Sequence, residues 1–395
     1  MSYDVAALRQ HFPSLSSGIA HFDGPGGTQA PREVGAAIAA TLTSPLSNRG
    51  RGGPSESNAD DAVTAFRAAY SDLLGVPETG IVYGRSATQL TYDFSRALAK
   101  RWRSGDEIVL TRLDHDANVR PWVQAAQRAG ASVRWLDFDP RTSELDQPTF
   151  NERTRLVAVT AASNLLGTKP DVREIADAAH DVGALVYVDG VHFTAHQFVD
   201  VSALGADFFV CSPYKFLGPH CAVLAAAPAL LATLRPDKLL PSTDAVPERF
   251  ELGTLPYEIM AGATAAVDFL AEIDPAGAPT RRDRLRNSLA AIDAHELDLR
   301  RCLESGLSEL DVVVHSRASD RTPTLLLTIP GRRCWDAYEH LATRQVLVPA
   351  GSFYAHEPFT RLALADEHGL RLGLAPYSDA DDVNRVLTGL REFLA

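Results

Sequence analysis

From Ile81 onward the chain alternates short apolar runs with stretches in which apolar residues recur every three to four positions. Residues 81–83, 107–111, 132–136, 156–160, 184–188, 208–210 and 222–225 read as strands, each too short for a helix and bounded by turn residues. Between them the pattern predicts helices. One is opened by Ser86 and ended by Gly105, one covers 118–129 with Gly130 as C-cap, and one runs from Asp171 to a stop at Gly183. Strands that alternate with amphipathic helices predict a mainly parallel sheet covered on both faces. Such sheets carry ligands at the carboxyl ends of their strands.

Upstream, residues 44–58 (SPLSNRGRGGPSESN) are rich in Gly, Ser and Pro and read as a loop. Asn58 then caps a helix, with Asp60 and Asp61 in its first turn, that continues to about Leu74. Past Pro275 the pattern changes to a long polar helix over 281–303, a β-like segment at 322–328, another helix, and a terminal helix over 381–394. This predicts a second, smaller α+β unit, with the N-terminal segment packed against it.

The chain has 395 residues, 45% of them hydrophobic, ample for a large core and for about two to three domains. Its net charge of −12, with no basic run, argues against nucleic acid and anionic membranes as partners. Cys211, Cys221, Cys302 and Cys334 are scattered, with neither a C-x-x-C pair nor histidines at metal spacing, so no metal is expected. The start, MSYDVAALRQHFPSL, lacks a charged region followed by an apolar one, and no apolar run reaches the roughly 18 residues that span a bilayer. A cytoplasmic protein acting on a small molecule is expected.

The chemistry is suggested by the strand ends. ALVYVD closes on Asp189, and FFVCSPYK closes on Ser212 and Lys215. A pyridine aldehyde cofactor needs this pair: an amine for a Schiff base, and a carboxylate that keeps the ring nitrogen protonated so the ring accepts electrons. A strand-terminal Asp can equally cap a helix, and a loop Lys can simply be solvated. The flanking motifs therefore matter.

Together these motifs resemble the class V aminotransferase family, which includes cysteine desulfurases, kynureninase and isopenicillin N epimerase, and the likeness runs along nearly the whole chain. Asp23-Gly24-Pro25-Gly26-Gly27-Thr28-Gln29-Ala30-Pro31 is similar to the opening box of the cysteine-desulfurase-like subgroup. The resemblance implies pyridoxal 5′-phosphate (PLP) as cofactor and fold type I, an α/β architecture with a mainly parallel seven-stranded sheet. It implies a large cofactor-binding domain over 18–270 and a small α+β domain from 1–17 and 271–395. Gly84-Arg85-Ser86-Ala87-Thr88 matches the turn that receives the phosphate, at a helix start where free amides suit an anion. Leu113-Asp114-His115-Asp116-Ala117-Asn118 resembles the box whose His115 stacks on the ring, with Asn118 on the substrate side. Asn164, in SNLLGT, would donate to O3′, with His192 nearby where many relatives have Gln, and Asp189 would face the ring nitrogen. In Ser212-Pro213-Tyr214-Lys215, Ser212 and Tyr214 would bind phosphate and Lys215 would hold the cofactor. Thr254, in RFELGT, would reach the phosphate in a neighbouring subunit, which implies a homodimer with shared sites. Arg371 would clamp the substrate α-carboxylate with its planar fork.

The match breaks where desulfurases carry their nucleophilic Cys. Here the loop is VPAGSFYAH, and Tyr354 stands in that place. A persulfide route needs a thiolate, so the sequence points instead to a desulfurase-like lyase without it. Aminotransferase and epimerase chemistry remain alternatives, as do decarboxylating or oxygen-using variants. Tyr354 is either an aromatic wall or an acid–base group. His196 either faces the site or serves the core. Two other classes are a non-catalytic scaffold, against which the joint presence of Lys215, Asp189, His115 and Arg371 speaks, and a nucleotide-binding protein, for which no G-x-G-x-x-G follows a strand.

Overall fold

The computed structural model describes residues 3–364 and 368–395. Its central element is a seven-stranded sheet. In spatial order the strands are Ile81–Gly84, Ala222–Ala226, Phe208–Cys211, Leu185–Asp189, Thr154–Thr160, Glu107–Thr111 and Ser132–Leu136. Ala222–Ala226 runs antiparallel to both its neighbours, and the other pairings are parallel. The register brings Asp189 beside Thr160 and Val210, so three strands end side by side.

Successive residues on these strands enter different cores, as a pleat of period two requires. Val157, Val159, Val186, Val188 and Phe209 join helices Pro54–Leu74 and Tyr257–Ala271 on one face. Leu156, Ala158, Tyr187 and Phe208 join helices Ala87–Ala99 and Arg120–Ala129 on the other. Phe208 and Phe209 are both fully buried, and burial of such a side chain contributes about 1.5–3 kcal/mol.

Two helix starts differ from the sequence expectation. The first long helix begins at Pro54, four residues ahead of Asn58, because proline is pre-shaped for a first turn. Asn58 lies inside it and donates to the Pro45 carbonyl. The next corrected helix is Arg120–Ala129, with Pro121 in its first turn, while Asn118 ends the short 3-10 turn Asp116–Asn118.

The smaller unit is an antiparallel sheet ordered Ala350–Gly351, Gly369–Gly373, Thr324–Thr328 and Val313–Val314. It shares a core with helices Cys334–Ala342 and Ala380–Leu394. Ala20 and Phe22 also belong to this core, and Ala20–His21 pairs in parallel with Val346–Leu347. The boundary expected at residue 18 therefore needs correction, since the chain still serves the small unit at Phe22. The N-terminal helix is tied to the same unit by Arg9, which bonds the Tyr377 carbonyl and Asp382, yet Leu8 and Phe12 pack in the large core. Helix Arg281–Leu307 spans both cores: Leu285, Leu289 and Ile292 lie in the large one, Leu299 and Leu303 in the small one.

Candidate active site

The carboxyl ends of the central strands open into a cleft lined by Ser86, Ala87, Thr88, His115, Asn164, Asp189, His192, Ser212, Tyr214 and Lys215. It continues into a cavity of about 680 Å³ that adds Tyr92, Arg120, Gln124, Phe353, Tyr354 and Arg371. The residues expected to serve this chain's own site thus converge from both units, with the exception of Asn118.

Lys215 closes a short 3-10 turn just past the strand Phe208–Cys211 and is buried. Burial, with Arg371 nearby, pulls its amine down to about 7, against the opposing pull of Asp189. Much of the population therefore carries the free amine that nucleophilic attack needs. Asp189 ends the adjacent strand and accepts from Val191 N at 2.9 Å. Burial pushes its carboxyl up, opposed by that bond and by Lys215.

His115 follows Asp114 at the end of strand Glu107–Thr111. Its Nδ1 accepts from Ala117 N at 3.0 Å, which leaves the proton of the neutral ring on Nε2. Burial, then Lys215 and Arg371, depress it to about 3, so the ring is neutral at working pH. Asp114 is buried beneath. It accepts from Thr111, from Thr160 N and from Asn118 Nδ2 at 2.7 Å, and burial outweighs these bonds to raise it to about 8. Asn118 also accepts from Trp122 Nε1 at 2.9 Å. Its amide is spent on this buried network and does not line the cavity, which corrects the expectation of a substrate contact.

His192 lines the cleft with Nδ1 buried and unpartnered, while Nε2 lies 3.0 Å from the Thr322 hydroxyl and 2.9 Å from that of Thr324. Burial holds it neutral, reinforced by His196, Lys215 and Arg371. His196 is set back from the cleft. It bonds Glu296 at 2.7 Å, both side chains buried, and meets the His192 ring edge-on at 5.0 Å.

Arg371 lies mid-strand in the small unit, opposite Leu326. Its Nη1 donates to the Asn164 carbonyl at 3.0 Å, and its buried Nε has no partner. Burial lowers it to about 9, so it stays protonated. Asn164 Nδ2 donates to the Phe353 carbonyl at 3.0 Å and leaves Oδ1 unpartnered. Phe353 and Tyr354 have φ of 55° and 54°, and each left-handed residue of this kind costs roughly 1–2 kcal/mol. Tyr354 is 78% exposed, with its ring 5.6 Å from that of His115.

At the opposite end of the cleft, Ser86 caps helix Ala87–Ala99 and accepts from Gln89 N. The first amides of that helix have no intrahelical acceptor and suit an anion. Ser212 is buried beside them. The Tyr214 ring stacks on His220 at 4.9 Å, and burial raises its phenol. Thr28 accepts from Leu217 N at 2.8 Å and donates its own N–H to the Tyr214 carbonyl, so it pins the lysine loop from both sides. A Cβ on Gly26 would lie 3.1 Å from the Asp23 carbonyl oxygen, and one on Gly27 3.3 Å from the Tyr214 ring, closer than a side chain there packs comfortably. Thr254 is exposed and lines neither part of this cavity.

Phe353, Thr28, Thr322 and Thr324 were not singled out as functional from the sequence. Only Thr28 had a usable signal, its place in the glycine box. The unpartnered His192 Nδ1, Asn164 Oδ1 and Arg371 Nε are buried polar atoms that a bound group would satisfy. With the free amine, the strand-end carboxyl and the helix start, they fit a phosphorylated pyridine aldehyde.

A family model described as Aminotransferase class-V matches residues 20–386. Among curated proteins, the chain is 30% identical over 407 residues to a probable cysteine desulfurase of Pseudomonas aeruginosa, covering 97% of this chain and 96% of that protein. It is 29% identical over 417 residues to an aminotransferase-like protein of Gibberella zeae, covering 100% and 99%. Among solved structures, a cysteine desulfurase of Thermococcus onnurineus superposes with a TM-score of 0.88 at 23% identity, covering 98% of each chain. One from Escherichia coli gives 0.86 at 23%, covering 100% of each.

Proposed function

The chain belongs to the class V aminotransferase family of pyridoxal-phosphate enzymes, and from that premise we propose that it converts an amino acid by lyase-type chemistry that uses no cysteine persulfide. One observation carries the reading. Lys215, Asp189 and Arg371 line one connected cavity, no cysteine lines it among the described residues, and Tyr354 stands in the loop that the family resemblance matches to the desulfurase nucleophile's.

When bound, the cofactor supplies an electron sink that stabilises negative charge at the substrate α-carbon. Lys215 would hold it through Nζ, and the same amine, when free, would take the substrate α-proton. Asp189 would keep the ring nitrogen protonated. The first amides of helix Ala87–Ala99, with Ser212 and Tyr214, would hold the phosphate, and His192 and Asn164 would bind the ring hydroxyl. His115 would help to hold the ring and, being neutral, adds no cation beside Lys215. Arg371 would bind the substrate α-carboxylate.

We further read the protein as a cytoplasmic homodimer. Among the described residues, Cys211, Cys221 and Cys302 form no disulfide, as a reducing compartment would keep them. The stretch leading to Thr254 exposes Leu239, Leu240 and Leu252, apolar area that suits a subunit contact. No described helix is long and apolar enough to cross a membrane.

The test is the absorption spectrum with PLP and a panel of amino acids, beside Lys215→Ala. A band near about 400–430 nm, shifted by one amino acid and missing from the variant, supports the reading. Release of that amino acid's β- or γ-substituent identifies a lyase. Transfer of its amino group or inversion of its α-carbon would instead identify an aminotransferase or an epimerase. No band in the wild type would leave the scaffold reading.

A further inference from the structure

Arg371 is a buried cation with no carboxylate at salt-bridge distance among the described residues. A guanidinium in that state needs other contacts to hold its plane. Two are present. Nη1 donates to the Asn164 carbonyl at 3.0 Å, and Cζ lies 4.0 Å from the centre of the Phe353 ring. The second is a close cation–π contact, within the range at which a ring face attracts a guanidinium.

Phe353 is itself held in place. Asn164 Nδ2 donates to its carbonyl at 3.0 Å, Asp116 N donates to the Tyr354 carbonyl at 2.8 Å, and Ala355 N closes the turn on Ser352 O at 2.9 Å. These bonds keep two consecutive non-glycine residues left-handed, a backbone form that persists only where its surroundings enforce it. Asn164, Phe353 and Arg371 thus form a closed triangle: the asparagine side chain fixes the phenylalanine backbone, the phenylalanine ring faces the arginine, and the arginine returns to the asparagine carbonyl. Among the described residues, Nε, Nη2 and the second N–H of Nη1 have no acceptor.

We propose that Phe353 is the positioning residue for Arg371, its ring holding the guanidinium plane so that the free edge meets a substrate carboxylate. This inference rests on the reading of Arg371 as the carboxylate clamp. It makes the turn occupied by a nucleophile's loop in desulfurases an element of substrate recognition here.

The experiment titrates the PLP-loaded protein with L-alanine and with L-alaninamide, following the cofactor band. Alanine has no β-leaving group, so under the lyase reading it binds without being consumed, and the amide lacks the carboxylate. Wild type is expected to bind alanine at least about tenfold more tightly than the amide. Phe353→Leu should shrink that ratio by about tenfold and leave the amide's affinity within about twofold, whereas Phe353→Tyr, which keeps the ring, should preserve the ratio. Phe353→Met repeats the test should the leucine variant not fold. Equal weakening of both ligands, or an unchanged ratio in Phe353→Leu, overturns the proposal and leaves the clamp intact. A wild type that does not prefer alanine overturns the clamp and the proposal together.

Discussion

His192 reaches from the loop after the Asp189 strand to the small unit, with its Nε2 2.9 Å from the Thr324 hydroxyl. The strand bearing Thr324 also pairs with the one bearing Arg371. One imidazole therefore links the loop after Asp189 to the sheet that carries Arg371, with its other nitrogen buried and unpartnered. Because burial and the neighbouring Lys215 and Arg371 hold it neutral, its work is hydrogen bonding, not proton transfer. His192→Gln, which keeps a polar amide, should retain the cofactor band at its wild-type wavelength. His192→Leu should shift the band and slow turnover by about tenfold or more, as a lost hydrogen bond to a polar ligand does. A leucine variant with unchanged spectrum and rate would contradict this.

The Lys215 amine, lowered to about 7 by burial and Arg371, sets how fast apo protein takes up PLP. An ordinary lysine has roughly one amine in a few thousand free at neutral pH. Only the free amine attacks, so uptake should climb about tenfold per pH unit below about 7 and level off above it. Removing the neighbouring cation in Arg371→Leu raises the lysine, so the plateau should move to higher pH. Stopped-flow absorbance over pH 5–9 tests this, and a profile that climbs without a plateau through pH 9 in the wild type would contradict it.

Tyr354 is solvent-exposed at its ring, and its hydroxyl has no hydrogen-bond partner among the described residues. It is expected to act as an aromatic wall: Tyr354→Phe should keep turnover within about threefold, while Tyr354→Ala should raise KM by about tenfold with a smaller change in kcat. A hundredfold loss of kcat in the phenylalanine variant would make Tyr354 an acid–base group instead.

The buried His196–Glu296 pair ties the loop after Asp189 to the helix that spans both cores. Removing one buried partner strands the other, at about 3 kcal/mol. Glu296→Leu should therefore lower the thermal midpoint by several degrees, with Glu296→Gln, which keeps an acceptor, losing far less. Equal melting of the leucine variant and wild type would show that the contact stabilises nothing.

The strands, their ends and the pair Asp189 and Lys215 were legible in the chain itself. Their signals are local: an apolar run, a terminal polar residue, a turn that follows. The helix start at Ser86 and the glycine box at Gly26 and Gly27 were legible for the same reason, since caps and tight turns depend on adjacent residues. Folding alone decided the rest. The antiparallel strand Ala222–Ala226 slots between the first strand and Phe208–Cys211, a placement that no periodicity encodes. Asn118 looked available for a substrate until Asp114 and Trp122 took both ends of its amide. Ala20 and Phe22 joined the small core because their partners, Val346 and its neighbours, lie over 300 residues downstream. The Asn164–Phe353–Arg371 triangle likewise joins distant segments. A buried polar group takes whichever partner the folded chain brings within about 3 Å, and that proximity exists only once the two cores have packed.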